Sequence, residues 1–561
     1  MTYAHDQARP GHDLDRARVI CPIAQYDGRT ASLPSSHLTR KELEEMKTVR
    51  LSLTKSVRNI VSAIVVLLAC VAVAALVGSR ATEAHAADLT LNRSGITAPA
   101  ATFTVNTTTD PTPSTGLCGG TCSLRYAINS ANLTSGATID VPAGMYALAL
   151  GVIPISQDMS IVGAGAISTT VDGGGVDRIF IVGPSTTINV SISGLTLQHG
   201  FSAGLGGAIQ DYGNLTLDSV TLFDNIVYNS GGGVGVWSGG ALTVTNSTVI
   251  SNAAGYGAGI SGYDTTDKVV ISHSSIISNT GDTGVGIDSV GPLTITDSLI
   301  ANNAGSGYGG GIRTVYGGSM SNSTVSGNSS SNHAGGISIW GPAFVTVVTF
   351  TINNSTISNN VTTNSSGGGL DAVSSDATAI LINSTVSQNR ALNYGGGLYA
   401  AGGPIELFNT TVYSNSAGYG GGLFVFNIAD TSIHMQNSLV AGNSASTLGQ
   451  DCYGPVNSQG YNLVQNTADC GFISATGDIT GTNPLLGVLQ NNGGSTWTHA
   501  LLIHSPAINA GNPAGCQDNN GTTLATDQRG LPRPIGGRCD IGSFEYQSLY
   551  TRTVYLPLIL K

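Results

Sequence analysis

Short runs of alternating apolar and polar residues recur through the middle of the chain. Leu242-Thr243-Val244-Thr245 and Leu293-Thr294-Ile295-Thr296 are two of them. Alternation with β-branched residues predicts half-buried strands. A fixed phrase follows each run. One copy reads Asn383-Ser384-Thr385-Val386-Ser387-Gln388-Asn389, then a polar stretch, then Gly395-Gly396-Gly397-Leu398-Tyr399. The next reads Asn409-Thr410-Thr411-Val412-Tyr413-Ser414-Asn415, then Gly420-Gly421-Gly422-Leu423-Phe424.

The first Asn position of the phrase falls at Gly194, Asp218, Asn246, His273, Asp297, Asn322, Asn354, Asn383, Asn409 and Asn437, an average spacing of 27 residues. A second polar position lies six residues later, at Gly200, Asp224, Asn252, Asn279, Asn303, Asn328, Asn360, Asn389, Asn415 and Asn443. A unit this short has room for three strands and three turns but not for a helix as well. Such a unit cannot bury its own strand edges and is stable only when stacked on copies of itself. The expected fold is therefore all-β: a right-handed, single-stranded parallel β-helix of about ten core coils, rising about 4.8 Å per coil. Inward Asn side chains are expected to bond from coil to coil, and Asn246, Asn322, Asn354, Asn383, Asn409 and Asn437 are the expected ladder. Several of these open Asn-Ser-Thr triplets that also read as glycosylation acceptors; their recurrence in register with the coil favours the ladder.

The ends differ from the middle. Residues 60–77 are apolar apart from Ser62, follow Lys47, Arg50, Lys55 and Arg58, and precede Ala84-His85-Ala86. That is the pattern of a secretory signal peptide, expected over residues 46–86 with Met46 as the true start, and residues 1–45 as a non-native or unstructured extension. A retained anchor is the alternative, since the apolar run is borderline for a span. From Asp88 onward 25 acidic residues face 11 basic ones. With no basic stripe, nucleic acid is not an expected partner. Six cysteines remain beyond the signal segment: Cys118, Cys122, Cys452, Cys470, Cys516 and Cys539. An even number in an exported chain suggests disulfides. Pairing of neighbours (118–122, 452–470, 516–539) is the expectation among several connectivities. The divisions expected are an N-terminal cap with first coils over residues 87–190, the repeat region over 191–445, a separate Cys-containing region over 446–546, and a tail over 547–561.

Two end segments carry a family resemblance. Phe103-Thr-Val-Asn106, then Cys122-Ser-Leu-Arg125-Tyr-Ala-Ile128 and Ala131-Asn132, resemble the CSLREA segment that precedes secreted bacterial β-helices, with Tyr126 where that motif has Glu. Asn483-Pro-Leu-Leu-Gly487, Asn492-Gly-Gly494, Thr498-His499-Ala500, Ser505-Pro-Ala-Ile-Asn509-Ala-Gly511, Asp527-Gln-Arg-Gly530, Arg533-Pro534 and Cys539-Asp-Ile-Gly542 with Glu545 resemble the choice-of-anchor Q region. The repeats resemble those of polymorphic outer-membrane proteins and of right-handed β-helix proteins generally. The resemblance implies a secreted or surface-attached protein of mostly unassigned activity. It makes the tail Val554-Tyr-Leu-Pro-Leu-Ile-Leu560-Lys561 a candidate sorting signal, with a last strand as the alternative.

Chemistry is expected beside the glycines. Val234, Ile260, Ile287, Ile312, Ile337, Leu370, Leu398 and Leu423 form the inward row. The next position, expected to face outward, holds Asp288, Arg313, Asp371, Tyr399 and Phe424; two further along stand Tyr212, Trp237, Tyr263, Trp340 and Phe426; before the glycines stand Tyr256, Tyr308, His333, Tyr394 and Tyr419. In register these aromatics would line one flank, about one coil apart, and flat rings suit sugar faces. The alternative is that the tyrosines close the turns. For catalysis, Asp288 and Asp371 lie three coils apart, roughly 14 Å, too far to act together. The Asp288–Arg313 pair is the catalytic candidate, against the simpler reading of a surface ion pair. No metal site and no cofactor is expected. The leading expectation is adhesion or carbohydrate binding, with a polysaccharide or cell-surface glycan as partner and the membrane met only through the signal segment or C-terminal sorting. A polysaccharide lyase or glycoside hydrolase is the enzymatic alternative, and a structural surface-layer component a further one.

Overall fold

A computed structural model describes residues 100–184, 187–342, 347–426 and 431–547. The expected signal peptide, the extension before it and most of the tail lie outside the described residues. The described residues all belong to one compact unit. It is an all-β, right-handed parallel solenoid with very little helix.

Each coil of the repeat region carries four short strands, one more than the three expected. In one coil these are Asn214–Asp218, Thr221–Phe223, Ile226–Val227 and Val234–Val236. Every strand pairs in parallel with its counterpart one coil on, such as Leu215 with Leu242, Leu222 with Val249 and Val234 with Ile260. The third face has ten strands, from Phe201–Ser202 to Ser444–Leu448, which are the ten expected coils. The second face has 14, so coiling extends past the repeats at both ends. The first and fourth faces join into one sheet at Cys452–Ser458, which pairs with both. The expected inward row is completely buried and, with Phe180 and Phe350, fills the interior.

The Asn ladder is real, but it runs through the second polar position, or in the coil of Asp224 through the residue after it, Asn225. Asn225, Asn252, Asn279, Asn303, Asn328, Asn360, Asn389, Asn415 and Asn443 are buried. Each Nδ2 donates to the Oδ1 of the next at 2.9–3.0 Å, and the last donates to Asp451. The same Oδ1 atoms accept the backbone N–H of the preceding ladder residue at 2.8–3.0 Å. The second amide hydrogen goes to a strand carbonyl, as from Asn303 to Ile276 and from Asn328 to Ile300. The ladder expected at Asn246, Asn322, Asn354, Asn383, Asn409 and Asn437 is thus displaced. Those residues sit at a corner with φ between 46° and 52°, the left-handed region that Asn tolerates better than other non-glycine residues. The serine after each corner makes a second ladder: Ser247, Ser274, Ser298, Ser323, Ser355 and Ser384 each accept the N–H of the equivalent residue one coil back at 3.0–3.2 Å. The recurrent Asn-Ser-Thr triplet is accounted for by corner, ladder and strand.

The ends are closed in two ways. Helix α1 (Leu124–Ala131) packs Leu124, Ala127, Ile128 and Ala131 into the first-coil core. Ser123 caps it by accepting the N–H of Tyr126. Arg125 pairs with Asp110 at 2.7 Å and donates to the carbonyls of Gly151 and Val152. Disulfide Cys118–Cys122 precedes the helix, and Cys452–Cys470 and Cys516–Cys539 lie in the C-terminal region. That region is not separate. Cys452–Ser458, Leu463–Val464, Cys470–Ile473 and Ile479–Thr480 continue the coils. Residues 486–546 then fold back along the flank of the last coils. Gln528 reaches Ser355, Thr356 and Thr385; Arg533 reaches Asn383; Ser543 reaches Thr411; the carbonyl of Asp540 accepts from Asn437. His499 meets Ser387 at 2.8 Å. Arg533 is itself held by Glu545 at 3.0 Å, both fully buried. Residues quoted above for the choice-of-anchor Q resemblance therefore make these contacts.

Removing a rung from the Asn ladder strands a buried amide and a buried N–H, at about 1–3 kcal/mol for each unsatisfied group. Asn328→Ala is expected to lower the thermal midpoint by several degrees, while Asn322→Gly, at the left-handed corner, leaves the stability within about 0.5 kcal/mol of the parent; equal losses in the two melting curves would contradict this assignment.

Candidate functional site

The fourth face is not open in the way its alternation suggests. The turn leading into each strand folds over it. A Cβ placed on Gly284 or Gly395 would lie 2.6 Å and 2.7 Å from the Cβ of Asp288 and Tyr399, and both glycines have φ near +60°. Only a residue without a side chain fits there. As a result the supposedly outward row is covered: Asp288 is 3% exposed, Asp371 0%, Tyr399 7% and Phe424 5%. These four do not face solvent as expected, and neither carboxylate is presented to a substrate.

Beneath the turns lies a file of paired polar groups. Arg313 Nε donates to Asp288 Oδ1 at 2.7 Å from the next coil. Burial pushes the Asp288 carboxyl up to about 6, although the guanidinium pulls the other way. Asp288 is thus buried under its turn while Arg313 keeps a fifth of its side chain exposed. Two coils further on, Ser338 Oγ donates to Asp371 Oδ1 at 2.7 Å and accepts from Trp340 Nε1 at 3.0 Å. His333 Nδ1 stands 3.4 Å from Asp371 Oδ2. Burial holds Asp371 above the usual carboxylate range, and the carboxylate raises His333. Asp288 and Asp371 remain three coils apart, as the spacing implied.

Most of the aromatic residues beside the glycines fall into two groups. Trp237 and Tyr263, on adjacent coils, stack at 4.1 Å. The larger group is continuous: Trp340 meets Tyr308 edge-on at 5.1 Å, Tyr308 stacks on His333 at 5.6 Å, and His333 on Tyr399 at 6.1 Å. Tyr394 then meets Tyr399, Tyr419 and Phe424, the last at 4.6 Å. Phe424 stacks on Tyr453 at 5.2 Å. Tyr394, Tyr419, Phe424, Phe426 and Tyr453 line a cleft of about 670 Å³ with Asp469 at its side. Phe426 is 45% exposed there. Tyr212 instead binds Gln210 Nε2 through its hydroxyl, and Tyr256 stands exposed on the third face.

Two participants carry no signal in the repeat pattern. Tyr453 continues the Tyr399–Phe424 file, but its coil keeps only Gly449 of the glycine triplet. Asp469 enters from the irregular C-terminal coils. A smaller hollow of about 380 Å³ lies where the second face turns into the third in the first coils, where His199 is held by Asp172 at 3.0 Å and faces Asp224 at 3.8 Å. Among the described residues no group of three or more His, Cys, Asp or Glu is placed to hold a metal ion.

Residues 178–352 match the family described as right handed beta helix region. That is the fold just described. No curated protein matches the chain. Among solved structures, the crystal structure of pectate lyase Pel9A is similar over 80% of this chain and 98% of its own, at 14% identity and a TM-score of 0.33. At that level the likeness carries no argument about activity.

Two titrations check these environments. Asp371→Asn is expected to bring the pKa of His333 down, since the charge that raises it is gone and burial, which lowers it, remains; a histidine NMR titration in which His333 is unmoved would contradict the pairing. Asp211, buried beside Asp267, is pushed up to about 8, mainly by desolvation. It stays protonated in the fold while the unfolded chain has already ionised, so stability falls as pH rises from about 4 to 8. Asp211→Asn keeps the acceptor that Gly213 uses, and is expected to raise the thermal midpoint more at pH 8 than at pH 4.

Proposed function

We propose that the protein is an extracellular or cell-surface β-helix that binds glycan chains along the aromatic run of its fourth face. The carrying observation is the unbroken sequence of ring contacts from Trp340 and Tyr308 to Tyr453, ending in an open cleft. Tyr399, Phe424 and Tyr453 come from successive coils, about 4.8 Å apart, comparable with one sugar unit of an extended chain. Rings already packed against one another lose little freedom when a sugar face lands on them. The disulfides suit an oxidising compartment. The acidic composition argues for neutral or cationic glycans over uronic acids. Burial of Asp288 and Asp371 leaves the catalytic alternative without an accessible acid pair on this face.

Tyr419→Ala and Tyr394→Ala are each expected to weaken retention in affinity electrophoresis through neutral polysaccharide gels about two- to tenfold, the range set by about 0.5–1.5 kcal/mol per aromatic contact. Their thermal midpoints should stay close to that of the parent. Parent protein that migrates identically with and without every polysaccharide tested would dismiss the reading.

A further inference from the structure

The cleft at the end of the aromatic run has features that sugar stacking does not need. Stacking on a sugar asks for one or two flat platforms. Here the rings line an open cleft at several angles. Phe424 and Tyr453 lie nearly parallel, 9° apart at 5.2 Å, whereas Tyr419 meets Tyr453 at 72° and 6.1 Å. Tyr394 is tilted 39° to both Tyr419 and Phe424. Phe426, exposed to 45%, adds a further ring to the lining. Ring faces and edges thus meet at a corner rather than in a plane.

Charge points the same way. Asp469 is the charged residue among the described residues lining the cleft. It is exposed, and its carboxylate accepts one backbone bond, from Gly449 N at 3.2 Å, leaving further lone pairs free. An aromatic ring presents negative charge on its face, and a cation within about 6 Å of the ring centre is attracted to it. Rings at several angles with a carboxylate beside them attract a compact organic cation far better than a neutral or anionic group.

We infer that this cleft recognises an ammonium group, either the quaternary ammonium of a choline-type substituent or the protonated amine of an amino sugar. The inference goes beyond glycan binding and names what one end of the run selects. A methylated ammonium would sit against Tyr419, Tyr453 and Phe426, with Asp469 balancing its charge. Loss of Asp469 removes the charge balance but leaves the rings.

The test is isothermal titration of the intact protein with choline chloride, with 3,3-dimethylbutanol as the neutral isostere, and with glucosamine against N-acetylglucosamine. Choline or glucosamine is expected to bind at least about fivefold more tightly than its neutral counterpart, a ratio within the range of cation–aromatic contacts. The pair with the larger ratio identifies the source of the ammonium. Asp469→Asn and Phe426→Ala, both at exposed positions, should each weaken the preferred cation severalfold with unchanged melting curves. Equal affinity within both pairs, no saturable binding of any probe, or full affinity in both variants overturns the inference. Choline binding without polysaccharide retention would sink the glycan reading and leave this one standing; retention without cation preference would do the reverse.

Discussion

Everything in this molecule depends on stacking like on like. A coil has no sheet of its own; its strand edges and turn groups find partners only in the coils above and below. The buried Asn column shows how strict that requirement is. Each amide serves both its own corner and its neighbour's backbone, so a residue of another kind breaks two bonds at once. The serine column beside it imposes the same condition on a second corner. These two columns fix the coil height and the register of all four faces, and thereby the spacing of whatever side chains the fourth face carries.

The aromatic run is a consequence of that register. Tyr399, Phe424 and Tyr453 are partners in neighbouring strands, so their rings fall one above another. The glycines that let each turn lie flat on the strand bury the first of these rings and bring the turn tyrosines, Tyr394 and Tyr419, out over them. One local device covers the carboxylates of Asp288 and Asp371 and builds the ring-lined cleft.

Much of the fold was legible because the repeat is periodic and stacking demands periodicity. The inward row from Val234 to Leu423 and the parallel β-helix follow from alternation alone. The distinction between Asn322 and Asn328 did not, since both are Asn in every clear copy and differ only in backbone conformation, φ 49° at the first and a buried amide at the second. Two-residue strands such as Ile226–Val227 are too short to show alternation, which is why a fourth face was missed. Burial of Asp371 could not be read from its outward parity, because parity says which side of a sheet a residue takes and nothing about a turn lying on top of it. Tyr453 was lost where the glycine triplet decays to Gly449. The return of residues 486–546 along the flank joins positions more than 100 residues apart, beyond any local pattern.

That returning segment changes how the stack answers to load. A plain solenoid pulled from one end can shed its coils singly, each held only by the one before. Here Gln528, Arg533, Ser543 and the carbonyl of Asp540 grip four successive coils, at Ser355, Asn383, Thr411 and Asn437. Tension on residues 486–546 is shared among bonds to all four, so these four coils resist as one block. The splint turns coils that a plain solenoid would shed one by one into a single fastening.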